Sequence, residues 1–212
     1  LLENGYLVLA EGQEREPDAP RVPLADQVQI FMPGVVDWSK TRAYGIGFNG
    51  LYLNLAGREG LGAHGEEGEP GSVSASDRRA LLVELKERLE AEIDPQNGRR
   101  VVLRADIADD VYASKERLDE APDILVGYDF GYGNSDEASL GRVPFGVLTD
   151  NDAPGTFNGS HLMAPDVVGG ILLSTRPVRD GAHGLEDLTV EILAHYGIEP
   201  VPGMIGQRVF TQ

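Results

Sequence analysis

The apolar positions of this chain fall into short runs whose spacing changes from two to between three and four and back again. Leu51-Tyr-Leu-Asn-Leu55 alternates apolar and polar positions, the pattern of a strand buried on one face. Leu82, Leu85, Leu89 and Ile93 recur at helical spacing and predict an amphipathic helix over Asp77–Ile93. Ser74-Ala-Ser-Asp77 fits a capping box at its start, and Asp94-Pro95 ends it. Arg100–Arg104 and Asp123–Tyr128 read as strands. Val167–Leu173 is continuously apolar, as expected of a strand covered on both faces. Leu185, Leu188, Ile192 and Tyr196 share one face of a last helix, with Gly197 as its C-terminal cap.

Toward the N-terminus the signals are shorter. Leu1–Asn4 reads as a helix end with Gly5 as a left-handed cap, and Tyr6–Leu9 as a strand. Glu11–Pro23 is acidic and proline-containing, an exposed loop, and Val28–Phe31 is a further strand. Asp37–Arg42 is a polar turn carrying the single Trp38, and Gly57–Gly71 is a loop rich in Gly and Glu. Strands and helices are interleaved throughout, so the expected class is α/β, a mixed sheet flanked by helices. No internal repeat and no clear linker divides residues 1–212. The chain opens on Leu1 in what reads as a helix end, so the expectation is a fold entered part-way.

Composition narrows the function classes. The 212 residues are 41% hydrophobic and 25% charged, a globular balance with enough chain for a sizeable core. A net charge of -17 argues against a nucleic-acid backbone or an anionic membrane surface as partner, since both need clustered Lys and Arg. No cysteine is present, which excludes disulfides, thiolate metal ligands and a cysteine nucleophile. No run reaches the roughly 18 apolar residues of a membrane span. The compartment stays open, with the cytoplasm slightly favoured.

Four histidines bound the metal chemistry. His161 lies in Gly155-Thr-Phe-Asn-Gly-Ser-His161, a polar loop just before an apolar run, where close backbone approach and a rigid element would suit a metal ligand. Asp152 or Asp166 could join it. His64 sits in the Gly/Glu loop, His183 in a turn, and His195 in a last helical turn where a cation offsets the helix dipole. The sequence contains no HxH, HxxxH or HExxH spacing, so adjacent residues do not assemble a full zinc site. Ser160 beside His161 is poorly placed as a nucleophile, because neighbours on an extended chain point to opposite sides. Gly127–Gly133 lacks the order of a phosphate loop. It reads as a turn after a strand, with Tyr128, Phe130 and Tyr132 packing or edging a cleft.

Several segments, taken in order, resemble the C-terminal portion of the type I phosphodiesterase/nucleotide pyrophosphatase family of the alkaline phosphatase superfamily. They are Val36-Asp-Trp-Ser-Lys-Thr-Arg-Ala-Tyr44, Gly50-Leu-Tyr-Leu-Asn-Leu-Ala-Gly-Arg-Glu59, Ala121-Pro-Asp-Ile-Leu-Val126, Gly159-Ser-His161 with Gly170-Ile-Leu172, and Glu186–Leu193 with Tyr196-Gly-Ile198 and Met204-Ile-Gly206. The resemblance implies a hydrolase in which a Thr or Ser attacks a phosphoester while two metals, usually zinc, hold the attacking and leaving oxygens. His161 matches the family's last metal-ligating histidine. The nucleophile and the other ligands precede this region in the family, so the resemblance implies residues 1–212 as one α/β region of a larger domain. Residues of about 28–150 would include an inserted subregion, and 151–212 would return to the core.

A missing N-terminal half would then be the partner of this chain, a small-molecule phosphoester its parent's substrate, and the chain alone inactive, binding zinc weakly at most. Leu162 and Val190 depart from the family pattern, the first at a substrate-facing position and the second at a helix start. Two further readings stand beside this one: a non-catalytic acidic α/β interaction module, and a phosphomutase or sulfatase-type relative.

Overall fold

The computed structural model describes residues 1–14, 35–59, 71–135, 143, 146–148 and 162–211. It divides into two compact units, Leu1–Val168 and Gly169–Gln212, each treated by itself. The expected strand over Val28–Phe31 lies outside the described residues.

The first unit is built on a four-stranded sheet in the order β1-β2-β4-β3, with β1 at Ala43–Ile46, β2 at Gly50–Leu53, β3 at Val102–Ile107 and β4 at Ile124–Tyr128. Every pairing in this sheet is antiparallel, so the α/β class holds and the expected mixed sheet is replaced by an antiparallel one. β1 and β2 form a hairpin whose loop opens at Gly47 with φ +74°, a left-handed position that glycine takes without strain. Asn49 then pins the hairpin to β4, its side chain donating to the Val126 carbonyl at 3.1 Å and its own carbonyl accepting from the Val126 amide at 2.9 Å.

Leu51 and Leu53 face inward as the period-two pattern predicts. The strand stops at Leu53 because Asn54 is buried and turns the chain. Its side-chain amide donates to the Trp38 and Thr41 carbonyls, each at 2.8 Å. Helix α1, Arg78–Glu90, covers the inner face with Leu81, Leu82 and Leu85 fully buried and Leu89 packed against the core. Burying each such side chain contributes roughly 1.5–3 kcal/mol. Ile93 does not complete this stripe. The residue before a proline avoids the helical region, so the helix must end before Asp94, and Ile93 instead bridges Arg100 across the following turn. The capping box sits a turn early. Ser74 Oγ accepts the Asp77 amide at 3.2 Å and donates to the Asp77 carboxylate at 2.7 Å, while the helix itself begins after Asp77.

β3 is an edge strand, and α1 covers its open hydrogen-bonding groups. Glu90 accepts the Ala105 amide at 2.9 Å and Lys86 donates to the Ala105 carbonyl at 2.9 Å. A register shift lies between Val102, opposite Tyr128, and Arg104, opposite Gly127, leaving Leu103 as an extra residue. The bulge lets Val102, Ala105 and Ile107 all point into the core while Arg104 and Asp106 face the other way. A one-turn helix α2, Ala108–Val111, follows. The Tyr6–Leu9 segment is not a laddered strand. It is tied instead by the Tyr6 carbonyl to the Arg42 and Ala43 amides and by one Leu9–Val36 bridge. Ahead of it, Gly5 N–H to Leu2 O and Tyr6 N–H to Leu1 O, both 3.0 Å, form the turn that ends helices, as the sequence predicts.

Two further expectations fail toward the C-terminus. Val167–Leu173 is no strand: Pro165–Val167 is a 3-10 turn, and the chain beyond it has no ladder among the described residues. Ile171 and Leu173 are 86% and 88% exposed. Helix α3, Leu185–His195, exists, and its Gly197 cap carries the expected pair of bonds, Gly197 N–H to Ala194 O at 3.1 Å and Ile198 N–H to Leu193 O at 2.9 Å. Yet Leu185 and Tyr196 are 82% and 73% exposed, and Val190 and Glu191 are the buried residues. The packed face is decided by a carboxylate rather than by the apolar stripe. Glu191 accepts two bonds from Arg208, at 2.8 and 2.9 Å, and the Val209 and Phe210 amides at 3.0 and 3.3 Å.

The Arg208 guanidinium, opposed by loss of water and then helped by the two amides, draws the Glu191 carboxyl down to about 2. A carboxyl lowered on folding stabilises fully above its ordinary value of 4.5, and that contribution is lost as pH falls through 2. The protection of the Val209 amide, its exchange rate relative to an unfolded amide at the same pH, is therefore expected to hold above pH 4.5 and to fall between 4.5 and 2. Glu191→Gln is expected to remove that acid step, and an unchanged step in the variant would contradict the assignment.

Candidate functional site

Asp123 precedes the apolar run of β4 and is fully buried, a position where an unpaired carboxylate would be very costly. Three donors satisfy it. The Leu53 amide lies at 2.8 Å, Arg58 Nη2 at 2.7 Å and Arg78 Nη2 at 2.9 Å. Arg58 also donates to the Leu53 carbonyl at 2.6 Å and pairs with Glu59 at 2.8 Å. The Asp123 main-chain carbonyl accepts the Ala108 amide at 3.0 Å, at the start of α2. One residue thus joins the end of β2, the turn after it, the first residue of α1, the start of α2 and the start of β4.

Asp109 extends the network, with Oδ2 2.7 Å from Arg78 Nη2, an ionic contact without a well-aligned hydrogen bond. The Arg78 guanidinium holds the Asp109 carboxyl below its ordinary range, against the cost of partial burial. A hollow of about 420 Å³ lies beside this cluster, lined by Leu55, Gly57, Ala75 and Leu118 together with Arg58 and Arg78. Asp109 and Asp119 line it too. Both guanidiniums are taken up by carboxylates, so this is an ion network that holds elements together rather than a receptor for an anion.

On the sheet face away from the core, Tyr44 stacks on its cross-strand partner Tyr52 at 5.5 Å and meets Trp38 edge-on at 5.2 Å. Burial, then the Glu59 carboxylate, pushes the Tyr44 phenol far above its usual range. The Asp37–Arg42 turn is as expected, with Asp37 accepting from the Ser39 amide and from Lys40. Of the aromatic residues after β4, Tyr132 packs against the core and donates to Asp94 at 2.8 Å, with Arg99 over its ring, while Phe130 is exposed.

The end of β4 holds the chain that follows His161. Met163 bridges Tyr128 in parallel, and the Ala164 amide donates to the Tyr128 carbonyl at 3.0 Å. Arg104 binds Asp106 through two bonds at 2.7 and 2.8 Å and reaches Asp166 at 3.1 Å. Asp166 is therefore engaged in an ion pair. His161, the proposed metal ligand, lies outside the described residues, as do Asp152, Ser160 and His64. His183 Nε2 lies 2.8 Å from the Arg179 carbonyl, and Nδ1 lies 3.7 Å from Asp187. His195 meets Tyr196 edge-on at the end of α3.

Among the described residues no three His, Asp or Glu side chains converge to hold a metal ion. An imidazole at His161 suits zinc in kind, but the described donors do not form the two-metal site that the resemblance implies. No described helix is long and apolar enough to cross a membrane.

Sequence reading missed the Asp123 network. Its signals are a lone acid at the head of an apolar strand and two arginines, one after β2 and one opening α1, without a spacing that links them. Asp123→Ala is expected to cost about 3–5 kcal/mol, since it leaves two arginines facing a buried gap. Urea unfolding checks this, and a loss under 1 kcal/mol would fit a surface pair instead. No family model matches this chain, and neither a curated protein nor a solved structure does.

Proposed function

We propose that this chain is the C-terminal part of a metal-dependent phosphoesterase of the phosphodiesterase/nucleotide pyrophosphatase type, with an alkaline-phosphatase-like fold. Its contribution to the metal site is one imidazole, His161. The observation that carries the reading is the ordered series of segments ending in Gly159-Ser-His161, running from Val36 to Gly206.

The placement of the polar residues within that series supports it. Asn54 and Arg58 come from one segment and Asp123 from another. The Arg58–Asp123 pair at 2.7 Å joins the two, while Asn54 binds the carbonyls of Trp38 and Thr41 in a third. Segments far apart in the chain thus meet through the residues on which the resemblance rests. The substrate class is a small phosphodiester or nucleotide pyrophosphate, and zinc is the expected metal. The remaining ligands and the nucleophile belong to the parent, so residues 1–212 alone are expected to be inactive.

His161→Ala in the full gene product is expected to lower hydrolysis of bis(4-nitrophenyl) phosphate by orders of magnitude while leaving the circular dichroism spectrum unchanged. Near-normal turnover in that variant would sink the assignment.

A further inference from the structure

Three Asn-Gly pairs lie among the described residues: Asn4-Gly5, Asn49-Gly50 and Asn97-Gly98. Such a pair carries its own chemistry. The backbone nitrogen after the asparagine can reach the side-chain carbon, and glycine has no side chain to block the approach. The fold leaves the three pairs in different surroundings. The Asn97 side-chain nitrogen donates to Asp94 at 2.7 Å and to Tyr132 at 2.9 Å, and its oxygen accepts the Arg99 amide at 2.8 Å. The Gly98 amide is held by the Asp94 carbonyl at 2.8 Å. Asn49 donates to the Val126 carbonyl at 3.1 Å, and Gly50 lies in β2 opposite Ile46, where a Cβ would come 3.0 Å from Pro122 Cγ. Asn4 is exposed, and among the described residues only its oxygen is held, by Arg88 Nη1 at 3.2 Å. A Cβ on Gly5 would meet nothing within 4 Å, so this turn has room to change shape.

We propose that Asn4 is a site of spontaneous deamidation promoted by Arg88, and that the bonds around Asn97 and Asn49 protect those two residues from the same reaction. The Gly5 nitrogen gives its proton to water, attacks Asn4 Cγ and closes a succinimide ring. The electron pair of the carbonyl double bond moves onto Oδ1, where the Arg88 cation meets the developing negative charge. On collapse Nδ2 takes a proton from water and leaves as ammonia. Water then opens the ring to aspartate or isoaspartate, so the sum is asparagine and water to acid and ammonia. Glu84, 3.5 Å away, and the Tyr6 ring, with its centre 5.8 Å away, hold Arg88 in place for this. The bond given up first is Gly5 N–H to Leu2 O. The product sets a carboxylate against Arg88. Its isoaspartate form adds a methylene to the turn before Tyr6, whose carbonyl holds the Arg42 and Ala43 amides at the head of β1. This chemistry depends on neither a metal nor the phosphoesterase reading.

The test ages the 212-residue protein in mildly alkaline buffer and follows each Asn-Gly pair by peptide mass spectrometry, with isoaspartate labelled by an isoaspartyl methyltransferase. Asn4 is expected to convert about tenfold faster than Asn97 or Asn49, the scale of two further hydrogen bonds that must break. Arg88→Gln is expected to slow Asn4 about threefold, the scale of one exposed charge. Tyr132→Phe removes a partner of Asn97 and is expected to speed that residue alone about threefold. Circular dichroism checks that both variants keep the fold. In urea the three pairs are expected to convert at similar rates, and Arg88→Gln to change none of them. Equal rates in the folded protein, an unchanged Asn4 rate in Arg88→Gln, or the folded order of rates surviving in urea would each overturn the proposal.

Discussion

The buried carboxylate of Asp123 is the constraint on which the first unit depends. A charge with no exposure at the head of an apolar strand needs donors on every side, and Leu53, Arg58 and Arg78 supply them. Those three residues lie before, within and after the loop that joins β2 to α1. Satisfying one carboxylate therefore sets where the loop leaves the sheet and where the helix begins. With α1 placed, its leucines meet Val102, Ala105 and Ile107, and Lys86 and Glu90 reach the open edge of β3. The bulge at Leu103 follows from the same packing, because it lets both halves of β3 face α1 and turns Arg104 outward.

The second unit shows the same physics on a smaller scale. Glu191 collects the Arg208 guanidinium and two backbone amides, and this outweighs the apolar stripe of α3 in choosing which face packs. Helical spacing in a sequence says that a face exists but not what will cover it. Leu185 and Tyr196 obey the period and stay exposed. Ile171 and Leu173 read as a buried strand and have no ladder among the described residues.

Local rules were legible where the signal is local. Gly5 and Gly197 cap turns as expected, Leu51 and Leu53 alternate into the core, and Pro95 limits α1. One boundary moved where a side chain intervened, at Asn54. The antiparallel sheet was not legible, since pairing partners up to 75 residues apart, such as Gly50 and Leu125, leave no periodic trace. For the candidate site, the sequence offers His161, which lies outside the described residues, and the structure describes the segment beyond it, tied to β4 by the Ala164 amide and to β3 by the Arg104–Asp166 pair. That tie was invisible in advance because no sequence spacing links an arginine beside a bulge to Asp166, 62 residues on.

Under the proposed function this chain brings His161 to a metal centre. Anomalous X-ray scattering at the zinc edge, from crystals of the full gene product grown with zinc, tests it most directly. A peak about 2.0–2.1 Å from a ring nitrogen of His161 is expected. Zinc bound elsewhere, or no peak near that ring, would contradict it.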